Sequence, residues 1–98
     1  MSSVNTVTGP VPAEELGRTL PHEHLFIDHM LDNWMASNLL NDPVVAEREI
    51  AVAVDAGVVT VVDQTGRGVH RDPIMLKALS EKTGMNIVAG TGWFKERF

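Results

Sequence analysis

Apolar and β-branched residues fall into short blocks separated by turn formers, and the period of the blocks changes along the chain. Val4 to Thr8 alternates enough to read as a short strand. Gly9-Pro10 breaks it, and Gly17-Arg18-Thr19-Leu20 resumes an extended run. A small hairpin over residues 1–20 is therefore expected, with Val11 to Leu16 as its irregular loop. Pro21 biases Leu20 toward extended geometry, and His22 to Ile27 follows as a strand. Asp28 to Asn41 shows no clean period and reads as a long connection.

The second half is more regular. Asp42-Pro43 is a helix start, an N-cap acid followed by proline at the first helical position. Val44, Val45, Ile50, Val52 and Val54 supply apolar surface, and Gly57 stops the helix. Val58 to Val62 is a continuous β-branched run, as in a strand buried on both faces. Asp63 to Arg71 is a glycine-rich loop. Asp72-Pro73 then repeats the helix start, with Leu76 and Leu79 on the helix and Gly84 at its end. Asn86 to Gly90 is a further buried strand, and Thr91 to Phe98 is loop. Strand, helix, strand, helix, strand implies βαβ units and a parallel sheet. The period does not separate a doubly wound sheet from the start of a barrel.

Composition narrows the function classes. A length of 98 residues allows one small domain or a piece of a larger one. A hydrophobic content of 44% argues against wholesale disorder. The net charge of -5 comes without any basic run that could track a phosphate backbone, which disfavours nucleic-acid binding. With no cysteine, histidines and carboxylates are the strong metal ligands available. No signal-peptide pattern opens the chain, and no apolar run approaches the ~20 residues of a membrane span. A soluble, cytoplasmic protein with no membrane partner is the expectation.

The sharpest chemical feature is Pro21-His22-Glu23-His24-Leu25. Residues two apart on a strand point to the same side, so His22 and His24 aim their imidazoles together and Glu23 points away. Two convergent neutral imidazoles suit zinc, or cobalt, nickel or manganese. A bare His-x-His is a weak signal, since two histidines on a half-exposed strand give the same pattern. Its placement on an apolar strand followed by a long loop strengthens it. A catalytic site normally needs three protein ligands. Asp28, His29, Asp32 and His70 are the local candidates, and none completes the shell convincingly.

Three further features are weaker. Thr65-Gly66-Arg67-Gly68-Val69-His70-Arg71 follows a strand and precedes a helix as a dinucleotide loop does, but Arg71 stands where the third glycine is required. Asp63 ends a strand, where a substrate contact and a hydrogen bond to the neighbouring loop are equally good readings. Gly90-Thr91-Gly92-Trp93-Phe94 places two aromatics after a strand, to line a pocket or to pack against the rim, and Trp34 admits the same two readings.

Taken in order, Asn5-Thr6-Val7-Thr8-Gly9-Pro10, Gly17-Arg18-Thr19-Leu20-Pro21-His22-Glu23-His24, Val61-Val62-Asp63, Gly68, Arg71-Asp72 and Asn86-Ile87-Val88-Ala89-Gly90-Thr91-Gly92 resemble the amino-terminal part of the phosphotriesterase family of the amidohydrolase superfamily. The resemblance implies an α/β fold, the first three βα units of a (β/α)8 barrel preceded by a small hairpin. It implies a binuclear centre, commonly of two zinc ions, with His22 and His24 as the two strand-one ligands. The remaining ligands, a carboxylated lysine, two histidines and an aspartate, belong to later strands. Lys77, Lys82 and Lys95 do not match that lysine. Trp93 and Phe94 fall where the family places aromatic pocket residues, and His70 stands where a glycine is common.

The implied reaction is hydrolysis of a small-molecule phosphotriester, lactone, ester or amide by a metal-activated hydroxide, whose parent water has a pKa lowered toward ~7. A homodimer of the complete enzyme fits the resemblance. A barrel needs ~250 residues, so the 98-residue chain alone is expected to be inactive. The competing readings are another amidohydrolase branch such as a deaminase or cyclic amidase, a non-enzymatic remnant or split-barrel module, and a nucleotide binder using the loop from Gly66.

Overall fold

Capping chemistry sets the two helices. The computed structural model describes residues 2–25, 27–28, 39–40, 42–65 and 72–90. Helix α1 spans Pro43–Asp55 and helix α2 spans Pro73–Thr83. The Asp42 carboxylate accepts from the Val44 N–H at 2.9 Å, and that of Asp72 from the Met75 N–H at 3.0 Å. Each bond satisfies an amide that the first helical turn leaves without a partner. At the other ends, Gly57 and Gly84 take φ of 87° and 77°, left-handed conformations that a Cβ would strain.

Strands β1 (Ser3–Thr6) and β2 (Gly9–Pro12) form an antiparallel hairpin. Strand β3 (Arg18–Glu23) follows, then a short ladder of β4 (Ile27–Asp28) and β5 (Leu39–Leu40). β6 (Val58–Asp63) precedes α2, and β7 (Asn86–Ala89) follows it. β3, β6 and β7 make one parallel sheet in that order. The expected parallel βαβ succession is therefore present.

The core lies between this sheet and the two helices. Ala46 and Ile50 of α1 meet Leu76 and Leu79 of α2, Val58 and Val61 of β6, Met85 and Ile87. Spacings of four and three residues put each helical pair on one face. Not all of the apolar surface expected of α1 is buried. Ile50 is 2% exposed, whereas Val44, Val45, Val52 and Val54 are 45–68% exposed because they lie on other arcs of the helix. Lys82 of α2 pairs with Glu47 of α1 at 3.1 Å across the outer side. No helix among the described residues is long and apolar enough to cross a membrane.

The hairpin closes earlier than its sequence pattern implied. Thr6 Oγ1 donates to the Gly9 carbonyl at 2.7 Å and accepts the Thr8 N–H at 3.3 Å, which fixes a tight turn at Val7 and Thr8. Pro10 and Pro12 therefore lie within β2, on an edge strand that tolerates missing amides. Arg18 to Leu20 opens β3 instead of closing the hairpin, and the Arg18 guanidinium donates to the Ala56 carbonyl at 2.7 Å, at the end of α1. The hairpin turn docks on the sheet through the Val7 N–H, which donates to the Ile87 carbonyl at 2.8 Å.

Two irregularities interrupt the β3–β6 ladder. Between Arg18 and Thr19, β6 carries one extra residue, Val59, whose side chain is 40% exposed although its neighbours Val58 and Thr60 are buried. Val59 packs instead beside Gly17, where an added Cβ would lie 2.9 Å from its Cγ2. The continuous burial expected of Val58 to Val62 is broken at this point. Between Leu20 and Glu23, the extra residue is on β3.

Candidate metal centre at the end of the first parallel strand

Pro21 lies within the second irregularity. Pro21 has no N–H to give to a ladder. Its carbonyl is taken by the Gln64 side-chain amide at 3.0 Å, and the Glu23 carbonyl by the Gln64 N–H at 2.7 Å. β3 then stops at Glu23, and His24 lies just beyond it. The rings of His22 and His24 meet edge to face, with centroids 5.5 Å apart at 76°. The convergence expected from the two-residue spacing is present.

Asp63 closes β6 and holds the site from below. Its side chain is 1% exposed. One carboxylate oxygen accepts the Leu25 N–H at 2.8 Å and the other accepts the Thr65 N–H at 2.8 Å. Its main-chain carbonyl accepts the Gly90 N–H at 2.7 Å. Three neighbouring strand ends are thus tied through one residue. Of the two readings open for Asp63, these contacts match the hydrogen bond to the neighbouring loop. Thr65, also 1% exposed, places its hydroxyl 2.9 Å from Nδ1 of His24. Gln64 did not stand out in the sequence, and Thr65 did so only as the first residue of the glycine-rich loop, since nothing there announces a contact 41 residues away.

The pair suits a divalent cation. Two imidazoles bound to one tetrahedral ion at about 2.1 Å have ring centroids roughly 5 Å apart. The 5.5 Å separation is compatible with that. His24 also has its Nδ1 engaged, so Nε2 is the nitrogen left to face an ion. Among the described residues, no cluster of three histidine, aspartate or glutamate side chains forms. Trp93, Phe94, His29, Asp32, His70, Trp34, Lys95 and the Gly66–Arg71 loop lie outside the described residues, as does the side chain of Asp28.

Parallel strands alternating with helices and a hairpin packed on the sheet form the amino-terminal part of a (β/α)8 barrel, the fold of the solved relatives. Residues 2–98 match the phosphotriesterase family, and the chain belongs to it. An N-acetyltaurine hydrolase from Xenopus tropicalis is 33% identical over 121 residues, covering 93% of this chain and 35% of that protein. An aryldialkylphosphatase from Saccharolobus solfataricus is 36% identical over 87 residues, covering 84% of this chain and 27% of that protein. A solved lactonase from Listeria monocytogenes superposes with a TM-score of 0.82 at 28% identity, over 93% of this chain and 28% of the other. The chain spans about a third of the length of the curated relatives it matches.

Proposed function

We propose that these residues belong to a metal-dependent hydrolase of small-molecule phosphotriesters, lactones or related esters and amides. The observation that carries this reading is the convergence of the His22 and His24 rings, 5.5 Å apart, at the end of a barrel strand. The names of the relatives support the class of bond: an N-acetyltaurine hydrolase, an aryldialkylphosphatase and a lactonase. His22 and His24 would hold one divalent cation, with zinc the first choice and cobalt, manganese or nickel the others. A bound cation there supplies Lewis-acid polarisation and makes water a competent nucleophile near neutral pH. Asp63 fixes the backbone around His24 and so keeps the imidazole at the mouth of the site. Trp93 and Phe94 are proposed to line the substrate pocket. The 98-residue chain taken alone is proposed to be inactive, because two imidazoles leave a catalytic shell short of ligands.

The test is made on the full-length protein that contains these residues. Zinc stoichiometry and turnover of a lactone, a phosphotriester and an N-acyl amine are measured for the parent and for His22→Asn and His24→Asn. The proposal expects each substitution to lower zinc occupancy and to remove turnover together. A folded His24→Asn protein that keeps both its zinc and its turnover would overturn it.

A further inference from the structure

We propose that Thr65 is a positioning residue for metal binding, which holds the His24 ring by Nδ1 and so leaves Nε2 to a cation; the proposal rests on reading His22 and His24 as a metal pair. A histidine can ligate through Nε2 only when that nitrogen carries no proton, and the partner of Nδ1 decides this. The Thr65 hydroxyl lies 2.9 Å from Nδ1. When it accepts the Nδ1–H, the lone pair is on Nε2 and the ring is ready for a cation. When it donates to Nδ1, Nε2 carries the proton and the ring cannot ligate.

The surroundings make this contact more than a chance approach. Thr65 is 1% exposed, so its side chain is held by the fold beside the partly buried His24 ring. Its own backbone is gripped by Asp63, whose other oxygen grips Leu25, the residue after His24. The Asp63 carboxylate therefore holds both ends of the contact: the main chain next to the imidazole and the main chain that carries the hydroxyl. The closed circuit from His24 through Leu25, Asp63 and Thr65 back to the ring leaves the imidazole little freedom to turn.

The experiment compares Thr65→Val, which keeps the branched shape without the hydroxyl, with Thr65→Ser, which keeps the hydroxyl, in the full-length protein. Long-range proton–nitrogen correlation spectra of the metal-free protein report which nitrogen of His24 is protonated. Zinc affinity is read separately by competition with a chromophoric chelator. The expectation is a Nδ1–H tautomer in the parent and in Thr65→Ser, lost in Thr65→Val, with zinc affinity about 10–100-fold weaker in the valine variant alone. A folded Thr65→Val protein with the parent's tautomer and affinity would overturn the proposal. So would a parent His24 protonated on Nε2, a result that needs no variant to fold. If the parent binds no zinc, the metal reading fails, and the tautomer comparison still judges the Thr65 contact.

Discussion

Asp63→Asn is the substitution that most directly tests how the site is held. The side chains have nearly the same shape, so the change removes an acceptor without opening a cavity. Both carboxylate oxygens are in use, each 2.8 Å from a backbone amide, and the residue is 1% exposed. Asparagine can satisfy one of the two amides, and its NH2 must then face the other, donor against donor. A hydrogen bond to a charged group contributes about 1.5–3 kcal/mol, and a buried amide left without a partner costs about 1–3 kcal/mol. These figures overlap in part, so a loss of about 2–4 kcal/mol is expected, a large share of the ~5–15 kcal/mol typical of a folded protein. Urea denaturation of the full-length protein reads it as a lower midpoint at unchanged slope. Hydrogen exchange reads it locally, as lost protection at Leu25 or Thr65 before the rest of the sheet. A change below ~0.5 kcal/mol with both amides protected as in the parent would refute the argument, because the carboxylate would then not be holding them.

Two other substitutions test the frame around the site. Gly90→Ala would place a Cβ 2.9 Å from the Asp63 carbonyl oxygen and 3.4 Å from Gln64 backbone atoms, none of which can rotate away. The ends of β6 and β7 must separate, and a loss of about 1–3 kcal/mol in chemical denaturation is expected, whereas a neutral result would show slack between them. Leu76→Ala removes a side chain that is 1% exposed in the layer between α2 and the sheet. It should cost about 2–5 kcal/mol by the same measurement, and a loss under ~1 kcal/mol would mean that the helix does not pack as described.

The helices were legible because their ends are written in single residues. Asp42, Pro43, Asp72 and Pro73 begin them, and Gly57 and Gly84 end them, for reasons confined to one turn of chain. The β-branched runs of β6 and β7 were legible for the same local reason. The hairpin was misread because Gly9 and Pro10 are usually breakers. Here the Thr6 hydroxyl organises a turn just before them, and β2 is an edge that needs few amides. Which arc of α1 meets the sheet was not legible, since valines all around a helix do not tell it. At the site, the two-residue spacing of His22 and His24 anticipated their meeting, and a loop hydrogen bond was one of the two readings of Asp63. The Thr65 contact was not legible, because it depends on how neighbouring strand ends come into register.

That register also settles on which face the histidines lie, and here simple alternation misleads. Leu20, His22 and His24 are all two apart, so an unbroken strand would put them on one side. Leu20 packs against the hydrophobic core, and the imidazoles would then be driven into the layer beneath the helices. Three steps on β3, from Leu20 to Glu23, oppose only two on β6, from Val61 to Asp63. One inserted residue turns every later side chain to the opposite face. Parity then places Leu20, Glu23 and Leu25 together, and Leu20 and Leu25 do both pack against the core. By the same parity His22 and His24 would fall on the other side. Pro21 is suited to the insertion, since it loses no N–H there and Gln64 supplies a donor to its carbonyl. The proline ahead of the two histidines therefore lies where the facing of the strand changes, between the core-packed Leu20 and the two imidazoles.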